Sequence, residues 1–232
     1  MDSGVRQAMD IEDNPLNIGD LHPYLRRIRQ ALVSGHLPGT ESVERFTPRD
    51  REGNTLVRPV EDRGIPLEPR RGAVLVLLYE REGQPVVSLT KRTDLVEDHK
   101  GEISLPGGAV EPRDATLLDT ARRETAEELG VGPGAYEVWG QLSPVYIPGS
   151  HFVITPFVAY AATPPSFAPD PFEVAEVLEA PLATLLDPAT IHEEDWELRG
   201  KCVHVAFFQC GAHKVWGATA RVLSQLMALL AT

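Results

Sequence analysis

The feature that most constrains this chain is a cluster of three glutamates inside one predicted helical turn of the segment 105–131: Glu124, Glu127 and Glu128. Like charges three and four residues apart on a helix repel each other by roughly 0.2–0.5 kcal/mol per pair. Packing therefore gives no reason to gather them, whereas a divalent cation would, because Glu124 and Glu128 point the same way. A separate stripe is expected to face inward, namely Leu118, Ala121, Thr125 and Leu129.

A glycine turn precedes this helix at Pro106-Gly107-Gly108. Glycine lacks the side chain that would block a close approach of the backbone to a ligand. Magnesium prefers oxygen and is usually held by one or two carboxylates plus substrate phosphates. Gly130 is placed to end the helix. The alternative is a solvated surface helix, which is what most Glu/Arg-rich runs are. We reject it because the run R-E-x-x-E-E-x-G follows the P-G-G turn at a sensible spacing.

These residues resemble the signature of the Nudix family, G-x5-E-x7-R-E-U-x-E-E-x-G-U, where U is a bulky apolar residue. The second half fits from Arg123 to Val131, although Thr125 replaces the first apolar residue. The first half departs from the signature. Asp114 stands in place of the expected glutamate, and eight residues rather than seven separate it from Arg123.

The resemblance implies roles for these side chains in breaking a phosphoanhydride bond with the help of Mg²⁺ or Mn²⁺. Glu124, Glu128 and Glu127 would bind the metal, together with the carbonyl of Gly107. The catalytic set would be Glu127, Glu124 and Arg123, with Glu127 either binding metal or helping to deprotonate the attacking water. Arg123 would orient the glutamates, since it can pair with Glu127 at the i+4 position.

An upstream element narrows the resemblance to the coenzyme A pyrophosphatase branch of the family, whose members carry L-[LT]-x-R-[ST], a spacer, then G and F-P-G-G. Leu89, Thr90, Arg92, Thr93, Gly101 and the P-G-G turn match it, while Leu105 replaces the phenylalanine. Glu97 stands where that branch often has an arginine. The predicted substrate-binding residues are Arg92, Lys91, Gly108 and Lys100. The alternative for Arg92 is that it is a surface residue at a strand end. His99 is equally open to two roles, a contact with the substrate and a hydrogen bond within its loop.

The composition excludes some classes of partner. The chain has 34 acidic against 22 basic residues and a net charge of −12, which opposes broad attraction to nucleic acid or an anionic membrane. We expect a small-molecule nucleotide of the coenzyme A class as ligand and leave a homodimer open. No segment resembles a signal peptide or a membrane span. Cys202 and Cys210 make no disulfide framework, so the expected location is cytoplasmic.

Two regions are expected along the chain. Residues 1–68 would form a tail, an amphipathic helix and a long wrapping connection. In that helix Asp20 would be the cap, Leu21, Leu25, Ile28 and Leu32 the apolar stripe, and Arg26, Arg27 and Arg29 a solvated face. Residues 69–232 would form the catalytic domain, which ends in a W-G-x-T-A helix. The implied fold class is α/β (α+β), with a mixed sheet sandwiched between helices and the glutamates on a loop-helix-loop.

The rest of the domain is predicted as strands with functional loops between them. Residues 73–79 and 85–90 predict a hairpin, and 136–142 and 152–160 predict strands, with Pro156 indicating an edge or a bulge. Tyr146 and His151 between them would stack on an adenine or simply pack. Glu173 and Glu176 are a minority hypothesis for the catalytic base, and we leave both out of the catalytic set.

The preferred function is hydrolysis of coenzyme A or its acyl derivatives to 3′,5′-ADP and 4′-phosphopantetheine. Two alternatives stay open. One is a pyrophosphatase for ADP-ribose or another nucleoside diphosphate derivative, and the other is a module that senses a nucleotide without cleaving it. The complete set of glutamates favours the enzyme.

Overall fold

The computed structural model describes residues 21–39, 41–54, 68–94, 101–148, 150–198 and 200–231. The helices in these ranges are α1 (Pro23–Val33), α2 (Glu41–Glu44), α3 (Leu117–Leu129), α4 (Leu182–Leu186) and α5 (Gly217–Ala231). The strands are β1 (Arg70–Arg81), β2 (Gln84–Arg92), β3 (Ile103–Ser104), β4 (Gly107–Ala109), β5 (Glu137–Gln141), β6 (Val145–Ile147), β7 (Phe152–Tyr160), β8 (Val174–Pro181), β9 (Ile191–Leu198), β10 (Lys201–Cys210) and β11 (His213–Val215).

Eight of the strands form one mixed sheet with the order β3-β2-β1-β7-β5. Strand β1 runs parallel to β7, whereas β1 and β2 form the predicted antiparallel hairpin. Short strands extend the sheet, because β4 pairs with β1, β6 with β7 and β8 with β2. The strands β9, β10 and β11 form a second, antiparallel sheet, and Cys202 and Cys210 both lie on β10.

The long apolar run of β1 is buried on both faces of the large sheet. Alternate side chains of a strand point to opposite faces, so Val74, Val76 and Leu78 join a core beneath α1 and α5. The residues between them join a smaller core beneath α3. The predicted mixed sheet between helices is therefore confirmed.

The amphipathic helix α1 is confirmed, and its buried residues Leu25, Ile28 and Leu32 belong to the same core as α5. Its cap is His22, whose ring accepts a hydrogen bond from the Tyr24 amide at 3.2 Å. The predicted cap, Asp20, lies outside the described residues. Among the helices that the structure describes, none is long and apolar enough to cross a membrane.

Pro156 does not lie on an edge strand, which was one of the two predictions for it, because β7 lies inside the sheet between β1 and β5. The proline is accommodated where β5 and β6 leave a gap along β7, since β6 pairs with residues 152–154 and β5 with residues 157–160. Leu142 donates its amide proton to the Pro156 carbonyl in this gap at 2.9 Å. The missing N–H of proline thus removes no ladder hydrogen bond.

Candidate active site

The helix α3 is fixed at both ends, which sets the direction of its glutamates. Thr116 and Asp119 form a reciprocal capping box at the start, and Gly130 ends the helix in the left-handed conformation at φ 69°. Three members of the predicted inner stripe, Ala121, Thr125 and Leu129, are fully buried, and the fourth, Leu118, is partly buried against the same core. The glutamates are thereby held at the rim between α3 and the sheet.

The glycine turn lies directly against β1 and the glutamates. A β-carbon on Gly107 would stand 2.3 Å from the Ala73 carbonyl oxygen, and one on Gly108 would stand 2.4 Å from Oε1 of Glu124. Gly107 also has φ 154°, in the region that favours glycine. The glycine turn therefore does come close to other groups of the protein, one of which is a glutamate of the cluster, and its approach to a phosphate or a metal stays a prediction.

Glu128 is a buried carboxylate whose negative charge is only partly compensated by nearby positive groups. Its exposed fraction is 3%, and the Gly107 amide donates a hydrogen bond to Oε2 at 3.3 Å. Nη1 of Arg92 lies 3.9 Å from Oε1, which is too far for a hydrogen bond. Burial, reinforced by the charges of Glu124 and Glu173, raises the pKa of the Glu128 carboxyl to about 8. A positive charge is needed here to hold this group ionised.

Arg123 organises the outer part of the cluster. It donates two hydrogen bonds to Asp114, each of 2.9 Å, and others to Glu124 at 2.8 Å and Glu127 at 3.0 Å. A further bond of 3.0 Å goes to the carbonyl of Ala109. Hydrogen bonds from Arg123 hold the pKa of the Asp114 carboxyl well below its usual range. The residue that departs from the signature is therefore the main partner of this arginine.

The donor set fits a hard divalent cation. Glu124, Glu127 and Glu128 would supply carboxylate oxygens, and the carbonyl of Gly107 would add a neutral one. Within the described ranges no three His, Cys, Asp or Glu side chains converge as metal ligands. Arg123 instead engages Glu124 and Glu127, so a metal ion would compete with it for these two carboxylates. The incompletely neutralised Glu128 supports the fit because a cation would compensate its buried charge.

The predicted substrate-binding residues are placed differently. Arg92 and Gly108 lie at the glutamates. Lys91 pairs in register with Ile103, which belongs to the core under α5, so it lies on the opposite face of the sheet from α3. Its role stays a prediction that this geometry does not connect to the glutamates. Lys100, like Glu97 and His99, lies outside the described residues.

A fourth carboxylate, Glu173, approaches the cluster. Its carbonyl accepts a hydrogen bond from the Thr93 amide at 3.0 Å, and the Asp170 amide of the same loop donates to the Glu128 carbonyl at 3.0 Å. Its charge contributes to raising the pKa of both Glu124 and Glu128, for which burial is the largest cause. Glu176 instead lies 3.6 Å from His213. The sequence could not show which of Glu173 and Glu176 lies near the cluster. This depends on the contacts of their segment with β2 and α3, which are far away in the chain.

Tyr146 and His151 contact each other at the β6–β7 turn. The Tyr146 hydroxyl lies 2.9 Å from Nδ1 of His151, and the two rings meet edge to face at 89°. His151 has φ 51°, which is uncommon for a residue other than glycine. This contact holds both rings in place, and their stacking on an adenine stays a prediction beside simple packing.

Asp114→Asn is expected to lower the free energy of unfolding by about 1.5–3 kcal/mol at neutral pH, because hydrogen bonds to a charged group are lost. The pKa of Asp114 is depressed in the folded state, so its contribution is present above its unfolded pKa of about 3.9 and is lost as the pH falls toward the folded value. Denaturant titrations at neutral pH and at increasingly acidic pH measure this difference.

The matched control is Glu111→Gln, since Glu111 also faces Arg123, at 3.6 Å, but is exposed. It should change stability by less than about 1 kcal/mol. Equal effects of the two variants would contradict the assignment of Asp114 as the main partner of Arg123.

Comparisons with known proteins agree with this geometry. The family model described as NUDIX domain matches residues 69–200. The uncharacterized Nudix hydrolase NudL of Photorhabdus laumondii is 33% identical over 156 residues, which cover 67% of this chain and 83% of that protein. Mitochondrial coenzyme A diphosphatase NUDT8 of Homo sapiens is 37% identical over 166 residues, 70% of each chain. The crystal structure of a MutT/nudix family protein from Enterococcus faecalis aligns with a TM-score of 0.50 at 18% identity, covering 74% of this chain and 66% of that one, and supports the fold alone.

Proposed function

We propose that this chain, which belongs to the Nudix family of hydrolases, hydrolyses the pyrophosphate bond of coenzyme A or an acyl-coenzyme A to 3′,5′-ADP and 4′-phosphopantetheine. The observation that carries the proposal is the position of Arg92. Its strand carries the Leu89-Thr90-x-Arg92-Thr93 element, and its guanidinium lies 3.9 Å from Glu128 of the Nudix helix. The element typical of the coenzyme A branch and the catalytic helix thus meet in one site. Similarity to a human coenzyme A diphosphatase supports the same substrate class.

The reaction adds water to one phosphorus atom and breaks its bond to the bridging oxygen, which leaves with the other phosphate. Negative charge grows on the phosphate oxygens during this step, and a bound magnesium or manganese ion would stabilise it. Glu124, Glu128 and the Gly107 carbonyl would hold the ion. Glu127, which is exposed, would be the first candidate to accept the proton of the water, and Glu173 stays the minority hypothesis for this role.

Arg123 and Arg92 would have different roles, since one would orient the glutamates and the other would bind the substrate. Arg123 would fix Glu124 and Glu127 from the outer side, because it already donates to both carboxylates. Arg92 would pair with a substrate phosphate, since its Nε is buried and has no hydrogen-bond partner within the described residues. The proposed location is the cytoplasm, where the two free cysteines would stay reduced.

A substrate panel with magnesium or manganese tests the substrate class. We expect a higher kcat/KM for coenzyme A than for ADP-ribose and dephospho-coenzyme A. ADP-ribose or dephospho-coenzyme A as an equal or better substrate would overturn the coenzyme A assignment and leave a Nudix pyrophosphatase. Failure on every nucleoside diphosphate derivative, by protein that binds the metal, would favour the sensing module.

Arg92→Ala is expected to raise KM for the best substrate by about tenfold with a smaller change in kcat, because a charge-assisted contact to a ground-state phosphate is lost. Steady-state kinetics at saturating magnesium measure both constants. Lys91→Ala is the matched comparison and should change KM less, since its side chain points away from the glutamates and from the pyrophosphate that Arg92 would bind. An unchanged KM in Arg92→Ala would return Arg92 to the surface-residue interpretation.

A further inference from the structure

Arg221 of α5 is a partly buried cation that forms no ion pair with any residue the structure describes. Its Nη1 donates to the Tyr146 carbonyl at 2.8 Å, while its Nε is buried and has no hydrogen-bond partner in the part of the chain described. None of the ion pairs formed among the described residues includes Arg221. Burial lowers its pKa. In a chain with 34 acidic residues, it is unusual that none of the described acids pairs with this arginine.

Holding the Tyr146 carbonyl does not require a charge. The neutral side chain of Gln225, one turn later on the same helix, makes this kind of contact with the neighbouring loop. It accepts a hydrogen bond from the Ser143 amide at 3.0 Å and donates to the Ser143 carbonyl at 3.1 Å. A buried guanidinium is costly unless it is paired. The charge of Arg221 is therefore better explained by an anionic ligand than by the support of this loop.

The start of α5 lies at the same end of the sheet as the glycine turn. Two residues before Arg221, the Thr219 hydroxyl donates to the Ile103 carbonyl at 3.1 Å. Ile103 belongs to β3, which leads through residues 104–106 into Gly107. On one side, then, α5 is attached to the strand that feeds the catalytic turn.

The contact of Arg221 with the Tyr146 carbonyl also connects α5 to the region of the glycine turn. Tyr146 pairs with Val153, the neighbour of Phe152 in β7. A β-carbon on Gly72 would meet the Phe152 ring at 2.5 Å and the Gly108 carbonyl at 2.3 Å. Phe152 and the Gly108 carbonyl therefore lie side by side, and Arg221 of α5 contacts β6, the strand that pairs with the Phe152 end of β7.

We propose that Arg221 binds a phosphate monoester on the nucleotide end of the substrate, namely the 3′-phosphate of the adenosine unit. This inference rests on the proposed function. The pyrophosphate would be bound by the glutamates and Arg92, so a separate arginine at the same end of the sheet, without an acidic partner among the described residues, matches a separate phosphate. A guanidinium offers a fork of donors that fits phosphate oxygens. Arg221 would then determine specificity for coenzyme A over substrates that lack this group.

The test compares ligand pairs that differ only in the 3′-phosphate. For wild type and Arg221→Gln, kcat/KM is measured with coenzyme A and dephospho-coenzyme A, and Kd with 3′,5′-ADP and 5′-AMP by calorimetry. Glutamine retains a donor for the Tyr146 carbonyl and removes the charge. We expect the preference for the 3′-phosphorylated member of each pair to fall by about 10- to 100-fold. The melting temperature without ligand should stay equal or rise, and Arg221→Lys should retain part of the preference.

Arg71→Gln is the matched control. Arg71 also takes part in no ion pair among the described residues, but it lines a groove with Leu117 and Phe157 on the face that carries α3. This variant should leave the preference of both pairs unchanged. A loss of preference in Arg71→Gln, with none in Arg221→Gln, would overturn the inference.

The two measurements separate this inference from the proposed function. Equal losses on both members of each pair in Arg221→Gln would make Arg221 structural and overturn the inference, while the hydrolase stands. If the wild type does not cleave coenzyme A but prefers 3′,5′-ADP to 5′-AMP, and Arg221→Gln loses this preference, the inference is supported and the proposed function is refuted. A wild type that does not prefer 3′,5′-ADP to 5′-AMP would overturn the inference.

Discussion

Glu128→Gln is expected to lower turnover by about 100- to 1000-fold, because the proposed metal loses a carboxylate ligand that stabilises charge in the transition state. The change is nearly isosteric, so the fold should persist. Without metal the variant should be at least as heat-stable as the wild type, since a buried carboxylate that faces Glu124 and Glu173 is replaced by a neutral amide. Initial rates at saturating magnesium and thermal melts without metal measure the two effects.

Two companion variants sharpen this prediction. Glu197→Gln changes an exposed glutamate of β9 and should leave both rate and melting temperature unchanged. The double change Glu127→Gln with Glu128→Gln should be inactive and still at least as heat-stable without metal. Near-native turnover of Glu128→Gln at saturating magnesium would mean that the metal is not bound on α3.

Gly108→Ala is expected to lower kcat by about 100-fold while the protein stays folded. The added β-carbon would stand 2.4 Å from Oε1 of Glu124, so something must move. The atoms it would meet belong to the carboxylate end of a flexible side chain, which can shift at little cost to the fold. Glu124 would then leave the position in which it faces the glycine turn. Steady-state kinetics and circular dichroism test the rate and the fold.

The control for this variant is Gly132→Ala, because a β-carbon there would meet nothing within 4 Å and Gly132 has φ −75°. It should be active and folded. Unchanged turnover in Gly108→Ala would show that the position of Glu124 against the turn does not matter for catalysis.

The local parts of the site could be predicted from the sequence because they depend on short-range chemistry. The helix over residues 117–129, its Gly130 end and its buried stripe follow from periodicity and capping. The same holds for the hairpin, in which β1 and β2 flank the turn at Glu82-Gly83. The family resemblance added the mixed sheet, which local patterns alone do not define.

The remaining features depend on contacts between residues far apart in the chain. The substitution of Asp114 for glutamate looked like a departure from the signature, yet its side chain reaches Arg123 nine residues later. The proximity of Glu173 to the cluster depends on the pairing of its loop with Thr93. That Arg221 has no acidic partner among the described residues could not be predicted, because it depends on contacts of α5 with segments far away in the chain.

Lys91 illustrates a different limit. Lys91 and Arg92 are neighbours in a matching element, and both were predicted to bind substrate. Only Arg92 lies at Glu128, because successive side chains of β2 point to opposite faces of the sheet. The sequence showed that the side chains of Lys91 and Arg92 point to opposite faces of the sheet. It did not show which of these faces carries α3.

Product identification after incubation with coenzyme A tests the central claim most directly. Wild-type protein with magnesium should convert coenzyme A into equal amounts of 3′,5′-ADP and 4′-phosphopantetheine, as identified by mass spectrometry. Excess chelator and the Glu128→Gln variant should both abolish this conversion. Intact coenzyme A after incubation with folded, metal-loaded wild type, or the same products formed at the same rate by Glu128→Gln, would contradict the account.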